Sequence, residues 1–96
     1  MPNYNPTNYT AVTAAYDAEF AQDSVKAIDV LAEGDLFVED IEGNTLHYTF
    51  DVSTLNTPLP YRLELRIRKI IGDGAGSVGD GSTGTDIALA DLIVLH

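Results

Sequence analysis

The fold class follows from one stretch of sequence, Tyr61-Arg62-Leu63-Glu64-Leu65-Arg66-Ile67-Arg68-Lys69-Ile70-Ile71. We call these residues, 61–71, the cationic segment, since they hold four of the chain's five Lys and Arg residues. Its apolar and charged side chains alternate with a period of two, the pattern of a strand that buries one side only. The alternation places Leu63, Leu65 and Ile67 on the buried side and predicts an outward row of charges, Arg62, Glu64, Arg66 and Arg68.

Short apolar stretches separated by glycine-containing turns surround this segment. They predict strands at 26–32, 36–40 and 45–52, and a last buried strand within 85–96. The turn Glu33-Gly34-Asp35 is expected to join the first two of these strands as a hairpin, and Glu42-Gly43-Asn44 to form a second tight turn. Five to seven short antiparallel strands of this kind predict an all-β protein, a small β-sandwich or barrel.

The N-terminal part differs in composition from the rest. Residues 1–12 are expected to form an extended arm and residues 13–96 a single β domain, because the first ten residues are rich in Asn, Thr, Tyr and Pro. Tyr4 and Tyr9 suggest that the arm lies on a surface of its own domain or of a neighbouring molecule, since disordered tails are poor in aromatics. Residues 11–22 fit helix or strand, and extended structure is favoured because every clear element that follows is a strand.

The chain is strongly acidic, with 15 Asp and Glu residues, 5 Lys and Arg residues and a net charge of -10. This charge argues against nucleic acid and anionic membranes as partners. The sequence has no apolar run of membrane-spanning length, and its first residues lack the features of a secretory signal. Because there is no cysteine, disulfides, thiolate zinc sites and cysteine nucleophiles are excluded.

Residues with catalytic or metal-binding potential form no recognisable motif. His47 is expected to have a surface or subunit-contact role, since no nucleophile motif surrounds it, and the prediction is a protein that is not an enzyme and needs no cofactor. The glycine-rich loop 72–84 lacks the phosphate-binding pattern. Two carboxylates in the loop, Asp73 and Asp80, and one just after it, Asp86, could bind calcium, so a calcium site remains an alternative. Otherwise the loop is a long hairpin connection or an exposed attachment loop.

The stretch Lys26-Ala27-Ile28-Asp29-Val30-Leu31-Ala32-Glu33-Gly34-Asp35-Leu36 resembles a pattern of small head-spike base proteins from tailed phages and gene transfer agents. That pattern is roughly Arg-Ala-Ile-x-Val-x-x-x-Gly-Asp-Leu. The resemblance extends over residues 11–96, through Gly43-Asn44-Thr45, through Pro60 with Arg62, Arg66, Ile67 and Ile70, and through the Thr-Gly-Thr-Asp-Ile at 83–87. The chain departs from the family in its longer glycine-rich loop and longer Arg-bearing strand.

The resemblance implies a virion structural protein, made in the host cytoplasm and located on the capsid surface. Such a protein forms a homo-oligomer, a trimer or pentamer, that binds a major capsid protein and anchors a fibre or spike protein; a capsid decoration or cement protein is a close variant. We expect its subunit or capsid interface to include Arg62, Glu64, Arg66, Arg68, Tyr4 and Tyr9. The alternative is a calcium-dependent carbohydrate-binding or adhesin-like β module.

Overall fold

A computed structural model of the chain describes residues 11–12, 15–21, 25–53 and 58–95. The strands in this part are β1 (Ala11–Val12), β2 (Ala27–Val30), β3 (Gly34–Asp40), β4 (Thr45–Phe50), β5 (Tyr61–Leu63), β6 (Ile67–Ile70) and β7 (Leu92–Leu95), and a 3-10 helix covers Leu89–Asp91. No helix among the described residues has the length and apolar character that crossing a bilayer requires. The predictions for Tyr4 and Tyr9 lie outside the described residues.

Two antiparallel sheets enclose one core. Sheet A has the strand order β1-β7-β2-β5, and sheet B has the order β4-β3-β6. Side chains from both sheets meet in a single buried cluster, with Ile28, Val30, Leu92 and Val94 from sheet A and Leu36, Val38, Phe50, Ile67 and Ile70 from sheet B. Each such side chain contributes about 1.5–3 kcal/mol by burial. The all-β prediction is therefore confirmed, in its sandwich form.

The cationic segment is divided between the sheets. Its first part is β5, which pairs with β2 in sheet A, and its second part is β6, which pairs with β3 in sheet B. The prediction of one continuous strand is wrong, because residues 64–66 carry the chain from one sheet to the other. The predicted alternation is nevertheless confirmed: Leu63 and Leu65 pack against the core and Ile67 is buried. A sandwich core lies on the inner side of both sheets, so the change of sheet leaves the alternation intact.

The first predicted hairpin is also wrong. β2 pairs with β5 and β7, whereas β3 pairs with β4 and β6, so the turn before Gly34 leads from sheet A to sheet B. Gly34 itself has φ 143°, a conformation that glycine adopts easily. The second predicted turn is confirmed, since it joins β3 to β4, and the Asp40 carboxylate accepts hydrogen bonds from the backbone N–H groups of Glu42 and Asn44 at 2.9 and 2.8 Å.

Residues 15–21 run alongside the outer edge of β6. Tyr16 and Ile70 form a parallel bridge, the Asp17 N–H donates to the Ile70 carbonyl at 2.7 Å, and the Phe20 N–H donates to the Arg68 carbonyl at 2.7 Å. This part is not helical, but it is not a regular strand either, since only Tyr16 forms a bridge and Asp17, with φ 61°, lies in a turn. Further upstream, β1 pairs with β7, so the last two residues of the predicted arm belong to sheet A.

Candidate interaction surfaces

The arginine of β5 is paired within the chain. Arg62 and Asp29 are opposite each other on β5 and β2. Arg62 Nε donates to Asp29 Oδ1 at 2.7 Å and Arg62 Nη2 donates to Asp29 Oδ2 at 2.9 Å, a two-pronged contact. Such a pair has good geometry, but its partial exposure limits its net contribution to about 1 kcal/mol or less.

The cations of β6 are paired in the same way. Glu39 on β3 accepts a hydrogen bond from Arg68 Nη1 at 3.3 Å and lies 3.5 Å from Lys69 Nζ. Arg68 Nη2 also donates to the Ile41 carbonyl at 3.0 Å. At least three of the four cations in the cationic segment therefore neutralise acids of their own sandwich.

The predicted interface residues are consequently distributed over two sheets. Arg62 lies on β5, Arg68 lies on β6, and the side chains of both are 40% exposed. Glu64 and Arg66 are exposed in the stretch between the two strands. These four residues do not share one strand face, and their role in an interface stays a prediction.

A second feature is the contact between Asp17 and the glycine-rich loop. Asp17 Oδ1 accepts a hydrogen bond from the Gly72 N–H at 3.0 Å, and Oδ2 accepts from the Gly74 and Gly76 N–H groups at 3.0 and 3.1 Å. Backbone N–H groups arranged in this way form a concave anion-binding nest. We call this arrangement the Asp17 nest; its anion is a side chain of the protein itself.

Electrostatics in the nest favour the ionised carboxylate. Partial burial opposes ionisation of Asp17, but the three glycine N–H groups and the positive charge of Lys69 outweigh it and hold the pKa below its usual value. The backbone of Asp17 has φ 61°, which is uncommon outside glycine, although Asp adopts it more readily than most residues. The loop 72–84 is thus pinned near its start to the segment that covers β6. It connects sheet B to sheet A, so the prediction that it closes a hairpin is wrong.

Tyr16 links the same segment to the chain beyond the loop. Its side chain is buried, and its hydroxyl donates a hydrogen bond to the Ile87 carbonyl. Burial and the nearby Asp86 charge raise the pKa of the Tyr16 phenol above its ordinary value. An open cleft of about 610 Å³ lies beside it, lined by Tyr16, Gly76, Ser77, Val78, Asp86, Ala88 and Leu89.

The outer face of sheet B carries a small polar cluster. Asp35 Oδ1 lies 2.9 Å from His47 Nε2 and accepts a hydrogen bond from the Thr49 hydroxyl at 2.7 Å. These bonds hold the pKa of Asp35 below its usual value. The His47 ring stacks on Phe37, with ring centroids 4.0 Å apart. His47 is a surface residue, as expected, and its predicted part in a subunit contact is still open.

Side chains of residues 85 and 86 extend sheet B beyond the end of β6. The Thr85 hydroxyl, fully buried, accepts a hydrogen bond from the Phe37 N–H at 2.8 Å and donates to the Phe37 carbonyl at 3.0 Å. Asp86 Oδ1 accepts a hydrogen bond from the Asp35 N–H at 2.7 Å. These polar groups satisfy the edge of β3 where no strand pairs with it, so they serve as structural contacts.

The aspartates of the calcium alternative belong to three separate hydrogen-bond systems. Asp73 accepts from the backbone N–H groups of Ala75 and Ser77, Asp80 accepts from those of Ser82 and Thr83, and Asp86 accepts from β3. Within the part of the chain that the structure describes, no group of three or more His, Cys, Asp or Glu side chains is arranged to hold a metal ion. The calcium alternative therefore gains no geometric support.

Two residues that organise this region were not predicted. In the sequence, Asp17 is one of several charges in a segment that fits helix or strand, and Thr85 is part of the Thr-Gly-Thr-Asp-Ile stretch. Their partners lie 55–59 and 48 residues away in sequence. No local pattern signals contacts of this range.

Comparison with protein-family models, with curated proteins and with solved structures gives no significant match to this chain. The resemblance to head-spike base proteins is neither supported nor opposed by these comparisons.

Proposed function

We propose that this chain is a virion structural protein, a head-spike base or capsid decoration subunit that assembles on the capsid surface. Its partners are further copies of itself, in a trimer or pentamer, a major capsid protein, and a fibre or spike protein that it anchors. The starting point is the resemblance of residues 26–36 and of the cationic segment to that family. The fold adds a small sandwich whose loops lie at the ends of the sheets, where attachment surfaces are commonly found.

One observation carries the proposal beyond the resemblance. At least three of the four cations in the cationic segment pair with acids of the same sandwich. Because the chain has 15 Asp and Glu residues and only 5 Lys and Arg residues, most of its negative charge has no matching cation. The chain carries a net charge of -10. A surface of this kind associates best with a basic partner surface, and charge complementarity sets the rate and specificity of such docking. The capsid partner should therefore present a basic patch, and the contact should weaken as salt rises.

The test is to separate capsids from free protein on a density gradient, using a culture that produces both this chain and the capsids. We expect the protein to sediment with the capsid fraction at low salt and to be released into the top fractions at about 1 M salt, where the Debye length is roughly 3 Å. The proposal is wrong if the protein stays in the top fractions at low salt while intact capsids are present.

Two single-charge variants test the predicted interface. Arg66→Ser removes a cation of the cationic segment while leaving the pairs Arg62–Asp29 and Arg68–Glu39 in place. Lys26→Ser removes the same charge from an exposed position outside that segment. If Arg66 contacts an acidic residue of an adjacent subunit or of the capsid, apart from the basic patch, Arg66→Ser releases the protein at lower salt than wild type and Lys26→Ser does not. Equal behaviour of the two variants would place the interface elsewhere.

A further inference from the structure

The outer edge of β4 exposes a row of backbone hydrogen-bonding groups. β4 pairs with β3 on one side, and no described residue pairs with it on the other. The Asp40 N–H donates to the Asn44 carbonyl at 2.9 Å, which fixes the phase of the ladder. Because bonded and non-bonded pairs alternate in an antiparallel ladder, Thr45, His47 and Thr49 direct their N–H and C=O groups away from β3.

This edge lacks the features that normally prevent strand pairing. Natural edge strands carry charges, prolines or bulges that block a neighbour. Residues 44–50 contain none of the chain's 20 Asp, Glu, Lys and Arg residues and no proline, and the register between β3 and β4 runs without a shift.

The other long edge of the described structure is protected. The outer side of β6 is covered by residues 15–21, through the N–H groups of Asp17 and Phe20. β5 has three residues, begins directly after Pro60 and carries Arg62. β4, with six residues, is therefore the edge best suited to take up another strand.

We propose that β4 pairs antiparallel with β4 of a second copy, about a two-fold axis through His47. In this register His47 lies opposite its own equivalent, and Thr45 lies opposite Thr49 of the second copy. All three outward-directed residues then form bonded pairs, more than any other register allows. Leu46 lies opposite Tyr48 of the second copy, so two half-buried apolar side chains cover each other on the inner face. Two three-stranded sheets become one six-stranded sheet.

The self-complementary register favours a second copy as the occupant, and the distribution of charge allows two copies to meet at this edge. Two chains of charge -10 repel each other over most of their surfaces. They can approach at least cost along β4, which has no Asp, Glu, Lys or Arg of its own and where the adjoining Asp35 carboxylate is bonded to His47 and Thr49. His47 is partly exposed at the centre of this stretch. Salt should strengthen the pairing by screening the repulsion. Salt should have the opposite effect on the proposed capsid contact, which it weakens. The salt dependence therefore tests the two proposals independently.

Sedimentation velocity tests self-association. For the protein free in solution, apart from the trimer or pentamer proposed on the capsid, we expect a monomer–dimer equilibrium over a range of about 10 µM to 1 mM, since a contact of this size is weak. The dimer fraction should rise when salt is increased. A monomer throughout the range, at low and high salt, overturns the proposal.

Cysteine cross-linking tests the register, because the chain has no cysteine of its own. In a His47→Cys dimer the two Cα atoms would lie roughly 5.5 Å apart, within disulfide range. In a Thr45→Cys dimer they would lie roughly 14 Å apart, out of range. Under mild oxidation we expect rapid dimers from His47→Cys and from a mixture of Thr45→Cys with Thr49→Cys, and slow dimers from Thr45→Cys alone.

Thr83→Cys, exposed on the glycine-rich loop, gives the rate of random collision. The proposal is overturned if both productive combinations react no faster than this control. It is also overturned if wild type is a monomer that dimerises only after deletion of residues 1–10, because the arm of the chain would then be the strand that covers β4. The mixture of Thr45→Cys and Thr49→Cys keeps the test valid if loss of the His47 stack impairs folding.

Discussion

Replacing Asp17 with Asn should loosen the glycine-rich loop and destabilise the sandwich. The carboxylate accepts three backbone hydrogen bonds, at 3.0, 3.0 and 3.1 Å, through both oxygens. An amide offers one oxygen, and its NH₂ group would face N–H groups that are themselves donors. At least one of the Gly72, Gly74 and Gly76 N–H groups therefore loses its partner, and the others lose the negative charge.

The expected cost follows from the number and exposure of these bonds. A hydrogen bond to a charged group contributes about 1.5–3 kcal/mol when well shielded, but Asp17 is only half-buried and water can replace part of the loss, so we expect a total near 2 kcal/mol. With an m-value of about 1–1.5 kcal/mol/M for a domain of this size, the urea midpoint should fall by roughly 1.5 M.

The effect should depend on pH. The pKa of Asp17 is lowered in the folded protein, so in the window between its folded value and its ordinary value of about 3.9 the unfolded chain binds more protons. The stabilisation by Asp17 is present above the unfolded value and is lost as pH falls through the folded one. The stability difference between wild type and Asp17→Asn should be full at pH 6 and should shrink as the pH is lowered through 4 toward 2.

Urea unfolding of wild type, Asp17→Asn and Glu19→Gln at several pH values measures this difference. Glu19→Gln is the matched control, because it removes one exposed negative charge two residues away. Hydrogen exchange of the Gly72, Gly74 and Gly76 amides should accelerate in Asp17→Asn only. Equal stability of the two variants at pH 6, together with unchanged exchange, would refute the role assigned to the nest.

Three further variants test other contacts. Tyr16→Phe leaves the Ile87 carbonyl without its hydroxyl partner and should cost about 1–2 kcal/mol in urea unfolding; because the Tyr16 pKa is raised, wild type should also lose stability above pH 10 in a way that the variant does not. Gly84→Ala would place a Cβ in steric overlap with the Gly72 carbonyl oxygen and should cost about 3 kcal/mol, with a heat scan as the readout. Asp40→Ala removes the acceptor of the β3–β4 turn and should lower the melting temperature at pH 7. The pKa of that carboxyl is lowered in the fold, so the difference from wild type should shrink progressively as the pH falls below about 4.

Burial was predictable because it depends on local periodicity. Leu63, Leu65 and Ile67 face the core as their alternation predicts, and Leu46 and Phe50 do the same on β4. Alternation with a period of two identifies the apolar side of a strand. That side faces the core in whichever of the two sheets the strand joins.

Strand partners were not predictable in the same way. The apolar side of the cationic segment fits sheet A and sheet B equally well, so nothing in its alternation indicates the change of sheet at 64–66. The Asp17 nest illustrates the limit further, since its donors are backbone N–H groups, which every residue except proline carries. The spacing of Gly72, Gly74 and Gly76 is the only local signal of a concave loop. It does not indicate which anion the loop binds, in this case the Asp17 carboxylate.

The acidity of the chain has two separate consequences. Part of it is structural: Asp17, Asp35, Asp40 and Asp80 accept hydrogen bonds within the fold, and each has a lowered pKa. These carboxylates stabilise the native state only while ionised, so stability should fall together with pH below about 4. The rest, such as exposed Glu19 and Glu42, is surface charge that salt can screen. Acid should therefore unfold the protein, whereas salt should leave it folded and change what it binds.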